Sequence, residues 1–442
     1  MDLARLRAVL RGEAEAPSLR PASVVVDLEV FAARVGAGLE PGTLGPCAVV
    51  RRWFDGTELE GLYGEQLAEA SREVTETGLQ TLSGGAPASW TGLEPIDGLV
   101  CFDLETTGLS GGSGTVAFVV GFGCFEGGRF HTWQFVLPSF ANERGLLAAV
   151  SEAVARAHTL VTFNGKSFDV PFMEMRWLYH RLETPMPGVR HLDLLHPARR
   201  FWGPDTGGLS VLEHRMLGFH RPDDVPGAEI PALYFRYLRT SDPAPLKGVL
   251  LHNQLDLVSL GILTGLACRL VDGGPDEAND AQQCLGLGRV FERAGERRRA
   301  VDCYERLAEG AQTSAPWPVH LDLQAEALSR VALALRRQRR YDDAAEVWAK
   351  LVDLGRPTGA LEREALRALA IHNEHRVKDT RQALDFARRA YDGERTRHRL
   401  RDGEKRLSRL ERRLSVACLL YTSDAADEGL GVDLGGRRII KK

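Results

Sequence analysis

The chain has 442 residues, 44% hydrophobic and 26% charged, the balance of a globular protein long enough for two or three domains. A formal net charge of −4 does not by itself announce a nucleic-acid binder, and no run approaches about 18 apolar residues, so no membrane span is expected. The seven cysteines are scattered without a C-x-x-C pair, and the start, MDLARLRAVLRGEAEA, lacks the apolar core of a signal peptide; we read free or buried thiols, neither disulfides nor a zinc site, and a cytoplasmic protein.

Residues 1–95 carry no assignable chemistry and read as an extension packing on the main domain. Met1–Arg11 suits a short helix, CAVVRRWF at Cys47–Phe54 a strand, and the Gly/Ser/Pro/Thr-rich Thr81–Pro95 an irregular lead-in. From Gly98 the pattern sharpens. Leu99–Asp103 is a short, mostly apolar run and predicts a buried strand, which Thr106, Thr107 and Gly108 turn. Thr115–Phe125 and Arg129–Leu137 read as two more strands joined by a hairpin at Glu126-Gly127-Gly128. Helices are expected over Asn142–Ala157 and Ser167–Leu182, with strands at Thr159–Phe163 and Val189–Leu195 between and after them. Leu209–Leu217 and Leu246–Val271 are helical by period. Three strands followed by alternating helices and strands predict an α/β domain with a mixed sheet over residues 96–272.

A polar linker over 273–281 leads into an all-helical region, 282–417, with an internal repeat. Leu287, Gly288, Phe291, Gly295, Ala300 and Tyr304 recur in kind as Val331, Ala332, Leu335, Tyr341, Ala344 and Trp348, and a weaker copy carries Ala370, Ala383 and Ala387. Small residues at helix crossings with aromatics filling the gaps resemble tetratricopeptide repeats, here spaced about 40 residues apart against the usual ~34. From Cys418 the stretch CLLYTSDAADE resembles a translated sequencing adapter, so residues 418–442 are expected to be a non-native, disordered tail.

The chemistry rests on carboxylates. Asp103 and Glu105 lie two apart on the first strand and so share a face, where their mutual repulsion calls for a divalent cation. Asp169, in FNGKSFD, follows a strand and an Asn164-Gly165 turn at the start of a helix, whose positive end favours an anion. Asn164 and Asp169 fit plain helix capping equally well. In LLHNQLD, His252 and Asp256 are four apart on one helical face, which also suits a solvated polar surface.

Taken together, the order D-x-E, Asp after strand and N-G turn, and H-x-x-x-D on a late helix resembles the DEDD 3′→5′ exonucleases of the ribonuclease H-like fold. With ETTGLSGGSGTVAFVVGFG, HLDLLHPARRFW and PGAEIPALYFRYL, the layout resembles the narrower YprB-like bacterial group. The resemblance implies that Asp103, Glu105, Asp169 and Asp256 bind two divalent cations, Mg²⁺ or Mn²⁺, and that a Tyr or His near the last Asp positions water. His252 stands at the spacing of the Tyr subgroup, whereas the His subgroup's position holds Leu251, which leaves the role of His252 open between general base and orienting group.

Candidate substrate contacts are Thr106, Asn164 and the basic–aromatic cluster Arg199, Arg200 and Trp202, whose arginines fit a surface ion pair equally well. Asp193, which also reads as the end of a strand, stands in a second tier. Gly111, Gly112 and Gly114 allow close approach of a backbone but read better as a plain loop. Phe168 reads as core. The leading expectation is an exonuclease on single-stranded DNA or RNA whose repeats recruit a partner or substrate. Arg-rich stretches at Arg336–Arg340 and Arg395–Arg413 fit either nucleic-acid affinity or a solvated helix face. The alternative is a non-catalytic scaffold with a degenerate nuclease fold.

Overall fold

The computed structural model describes residues 26–54, 62–85, 96–108, 114–203, 207–221, 224–309, 317–355, 359–392 and 394–430, with the side chains of residue 62 and of 417–430 left out. The chain forms two units. One holds residues up to Glu73 with Ser89–Leu194 and Gly207–Gly265; the other holds Val74–Ala88, Leu195–Thr206 and the chain from Leu266 onward.

The first unit is built on a seven-stranded mixed sheet in the order β1-β2-β5-β4-β3-β6-β7. The strands are β1 Gly38–Glu40, β2 Cys47–Phe54, β3 Leu99–Thr106, β4 Ala117–Glu126, β5 Arg129–Val136, β6 Thr159–Thr162 and β7 Arg190–Asp193. Pairing is antiparallel from β1 to β3 and parallel for β3–β6 and β6–β7. Parallel neighbours need a crossover, and α4 Glu143–Val154 and α5 Asp169–Tyr179 lie between those strands in the chain. Strand β3 is paired on both edges and covered on both faces, which is why Leu99 to Phe102 form an unbroken buried run. The β4–β5 hairpin turns on Gly127 and Gly128, both left-handed with φ 58° and 78°, as a tight two-residue turn requires.

The expected start of this domain at 96 is corrected. Strands β1 and β2 extend the same sheet, and α1 Leu28–Val35 buries Phe31, Ala32 and Val35 against it, so the domain begins before the Gly/Ser-rich segment. Residues 1–25, with the expected first helix, lie outside the described residues. The unit is completed by α2 Leu62–Glu73, α7 Leu209–Leu217, α8 Ile230–Thr240 and the first part of α9 Leu246–Gly273. Of the candidate membrane segment Leu246–Asp276 that contains α9, the most apolar window is 78% buried within the protein, as in a core helix. Helix α9 lies close over β4 because Gly121 and Gly123 carry no side chains: a Cβ on Gly121 would stand 2.2 Å from Asn253 Oδ1, and one on Gly123 3.3 Å from Leu257 Cβ.

The second unit is helical. It takes in α3 Glu76–Leu82 and α6 Leu195–Phe201, then α10 Ala281–Ala294, α11 Arg297–Ala308, α12 Leu321–Arg337, α13 Tyr341–Asp353, α14 Ala360–His372, α15 Thr380–Asp392 and α16 Arg397–Leu430. Repeat positions fall in the packed cores: Gly288 lies under Tyr304, and Ala332 and Trp348 share one cluster. The helical backbone continues to Leu430, where an end of regular structure at 418 was expected; the alanines and leucines of 417–426 are good helix formers.

Candidate active site

Three segments of the first unit bring the four carboxylates into one electrostatic environment. Asp103 and Glu105 come from the end of β3, Asp169 is the first residue of α5, and Asp256 sits on α9. Burial raises the pKa of Asp103, and Asp256, Glu105 and Asp169 push it further. Glu105, 8% exposed, is raised by burial and by Asp256, Asp169 and Asp224. Burial pushes Asp169 up to about 7, with Asp193 adding to it. Asp256 is raised by burial against the opposing charges of Arg221 and His252. The N-cap position of α5 is Phe168, which makes no side-chain cap bond, while Asn164 lies in the turn before it and Asp169 is the first helical residue. Clustered hard oxygen donors whose charge is suppressed in the fold fit one or more Mg²⁺- or Mn²⁺-class cations.

Several groups hold this set in place that the sequence reading missed. Across the sheet, Asp103 pairs with Gly121 and Gly121 with Gln134. The slot over Gly121 is filled by Asn253, whose Nδ2 donates to Asp103 Oδ2 at 2.7 Å while Gln134 Nε2 donates to Asn253 Oδ1 at 2.7 Å and to the Leu250 carbonyl at 2.8 Å. A polar residue three before Asp256, facing a glycine in the strand next to β3, is the signal that could have found it.

The second missed group is Arg221. Its Nη2 lies 2.6 Å from Asp256 Oδ1, and the same guanidinium bonds the buried Glu213, to which Tyr63 also donates at 3.1 Å. The third is Asp224, whose Oδ1 lies 2.8 Å from His252 Nδ1. That contact turns His252 Nε2 toward Asp256 Oδ2, 3.6 Å away. Leu251 is half exposed, so His252, not its neighbour, faces the carboxylates.

The remaining candidates divide. Asp193, 2% exposed, accepts from the backbone N–H groups of Asn164 at 2.8 Å and Lys166 at 3.0 Å, and so fixes the turn that delivers Asp169. Asn164 takes φ 70°, the left-handed conformation its residue type tolerates. Thr106 closes the turn after β3 by donating to the Gly108 carbonyl at 2.9 Å. Gly111 and Gly112 lie outside the described residues, and Gly114 has open space where a Cβ would be.

The placement of Arg199, Arg200 and Trp202 in the nuclease domain is corrected: they belong to the second unit, where Arg199 is exposed, Trp202 is 2% exposed and so closed to base stacking, and Arg200 Nη1 donates to the His196 carbonyl at 2.9 Å. Helix α6 packs there against Gly286 of α10, whose missing Cβ makes room for the Arg200 carbonyl. Phe168 is corrected in the other direction; it stands beside Asp169 at 54% exposure.

A model of the RNase_H superfamily matches residues 100–268, the stretch that holds all four carboxylates, and its members are in general hydrolytic nucleases that use divalent metals. The chain is 32% identical over 293 residues to "Uncharacterized protein YprB" of Bacillus subtilis (strain 168), covering 65% of this chain and 68% of that protein. The chain belongs to the RNase H superfamily and, within it, to the family of this YprB protein. A family B DNA polymerase from the hyperthermophilic archaeon Pyrobaculum calidifontis aligns over 90% of this chain and 66% of its own at 11% identity, with a TM-score of 0.35, too low to carry an argument. Membership supports a nuclease-type function acting on nucleic acid.

Proposed function

We propose that the protein is a metal-dependent 3′→5′ exonuclease that hydrolyses phosphodiester bonds of single-stranded DNA or RNA with two divalent cations. The observation that carries this is the convergence of Asp103, Glu105, Asp169 and Asp256, each with its charge suppressed, beside an oriented histidine. Mg²⁺ or Mn²⁺ held by these carboxylates supplies charge to offset that developing on the phosphate in the transition state. Asp224 holds Nδ1 of His252, which leaves Nε2 to take the proton of the attacking water. Asn253 fixes the rotamer of Asp103, and Arg221 fixes that of Asp256. Phe168 offers an exposed ring next to Asp169 on which a terminal base stacks, a contact worth roughly 1–3 kcal/mol. The helical unit recruits a protein partner or the substrate strand.

A second reading, a non-catalytic scaffold, is favoured by Arg221: its guanidinium already neutralises one oxygen of Asp256 that a cation would use. The deciding experiment incubates the full chain with 5′-labelled single-stranded DNA and RNA in Mn²⁺, Mg²⁺ or EDTA. A metal-dependent ladder shortening from the 3′ end, lost in Asp103→Ala/Glu105→Ala, is expected. No cleavage of either polymer with either metal selects the scaffold.

A further inference from the structure

The face of the sheet turned away from the carboxylates carries a second cluster of metal-ligating groups. Cys124 on β4 and His131 on β5 are directly opposed in the antiparallel register, and Glu126, two residues beyond Cys124, shares their face. Val100, paired with Cys124, and Asp103 are an odd number apart on β3, which sets this cluster on the opposite side from Asp103. One ligand atom from each of Cys124, Glu126 and His131 lies within 4.8 Å of the other two.

An independent observation comes from His131 itself. The residue is 6% exposed, its ring stacks on Trp53 with centroids 4.1 Å apart and planes within 11°, and Nε2 has no hydrogen-bond partner among the described residues. An orphaned buried polar atom costs about 1–3 kcal/mol unless something meets it. A cavity of about 570 Å³ opens onto the cluster, lined also by Glu40, Arg51 and Trp133. The positive charge of Arg51 is already matched, since its Nε and Nη2 bond Glu40 at 2.5 and 2.7 Å.

We propose that Cys124, Glu126 and His131 form a transition-metal site of the zinc class, with its fourth coordination position open to the cavity. A thiolate, an imidazole and a carboxylate are the donor set of Zn²⁺ or Co²⁺, and a thiolate is a poor ligand for Mg²⁺. A tetrahedral centre spaces such donors by roughly 3.3–3.6 Å, so metal binding would draw the three groups, now within 4.8 Å of one another, closer together. Binding displaces the Cys124 thiol proton to solvent and forms the sulfur–metal bond. The sequence hid the site because its ligands are not spaced as a C-x-x-C pair; they meet only when the Gly127-Gly128 turn folds β5 back on β4.

The test uses the full chain, stripped of metal by chelation and dialysis, and titrated with Co²⁺. One equivalent is expected to give a thiolate-to-cobalt charge-transfer absorption that Zn²⁺ then bleaches. Cys124→Ser abolishes the band. Glu126→Gln, at an exposed position that leaves the fold intact, weakens Co²⁺ binding by at least about 10-fold. Asp103→Asn/Glu105→Gln retains the band, which separates this site from the carboxylates. No thiolate band in the wild type, a band unchanged in Cys124→Ser, or unaltered affinity in Glu126→Gln overturns the proposal.

Discussion

In the first unit, Asp103, Glu105, Asp169 and Asp256 share one environment with the Arg221 guanidinium at Asp256, and all four are pushed up in pKa. In the second unit, a lone buried carboxylate, Glu374, is ringed by three arginines: Arg409 bonds it at 2.7 and 2.8 Å, Arg413 approaches to 3.3 Å and Arg406 to 3.6 Å. Burial pushes Glu374 up, yet the hydrogen bonds from Arg409 and the surrounding positive charge hold it below the usual carboxylate range. One chain thus treats buried negative charge in two opposite ways. Around Glu374 the fold supplies the cations itself, so the charge serves packing. At the end of β3 it leaves charge uncompensated, at a cost to folding, and that deficit is what a bound cation would relieve.

The largest expected effect breaks the first half of the comparison. In Asp103→Asn/Glu105→Gln two of the four clustered charges are removed and the repulsion falls, while the amide oxygen introduced in place of the Asp103 carboxylate still accepts from Asn253. We expect metal-dependent cleavage to fall by more than about 1000-fold, the several kcal/mol that metal charge stabilisation supplies. Urea denaturation of the metal-free double variant at pH 8 should show higher stability than wild type. Retained activity would remove the carboxylates from the proposed mechanism, and lowered stability would remove the repulsion argument.

The next effect is in pH. A carboxyl whose folded pKa lies above its unfolded value prefers the fold when protonated. For Asp169, pushed up to about 7, the penalty is absent below its unfolded pKa, grows as pH rises, and is complete above pH 7. The other three acids shift in the same direction. Metal-free protein should therefore lose stability from pH 5 to pH 8, on the order of a few kcal/mol at ~1.4 kcal/mol per pKa unit. Saturating Mn²⁺ should remove that loss. Denaturation curves at both pH values, with and without metal, measure it, and a metal-independent slope would count against a cation site.

A smaller effect belongs to the support behind Asp103. Asn253→Ala frees that carboxylate to rotate, and Gly121→Ala drives a methyl to 2.2 Å from Asn253 Oδ1. Each should cost about 10–100-fold in metal affinity or activity, as loss of a ligand's hydrogen-bond partner does. Rate against Mn²⁺ concentration separates a positioning role from general damage: the positioning role recovers at high metal, and an Mn²⁺-independent loss would refute it.

How much of this was legible in the sequence follows the range of each interaction. Asp103 with Glu105, and His252 with Asp256, are local pairs whose relation is set by strand and helix periods, and the order of the motifs supplied the rest. Residue types also revealed β3 to β7, because apolar runs bounded by Gly and Pro are local features. Asn253, Arg221 and Asp224 were not legible, because each acts through a contact made only in three dimensions, across a sheet row or between loop and helix. Exposure was the least legible property. Phe168 and Trp202 exchanged places relative to expectation: Trp202 is buried in a segment that the second unit claims, and Phe168 stands exposed at the turn that starts α5. The break at 195–206 carries no composition signal beyond its basic residues.

The smallest effect tests the other half of the comparison. Glu374→Gln keeps the volume and one acceptor but leaves Arg406, Arg409 and Arg413 facing one another. Breaking a fully buried pair costs about 3–5 kcal/mol, but Arg409 and Arg413 are 40% and 51% exposed, so water takes up much of the loss and about 1–2 kcal/mol is expected. Because the folded pKa of Glu374 is depressed, its contribution is present above the unfolded value of about 4.3 and fades as pH falls, so the variant should flatten the acid limb of the stability curve. Added salt should return part of the loss by screening the arginines. The sign is the decisive feature: neutralising a carboxylate destabilises the protein here and stabilises the metal-free protein at Asp103. If Glu374→Gln were neutral or stabilising, pairing would not be what distinguishes the two clusters, and the uncompensated charge at β3 would lose its meaning as a reserve for a cation.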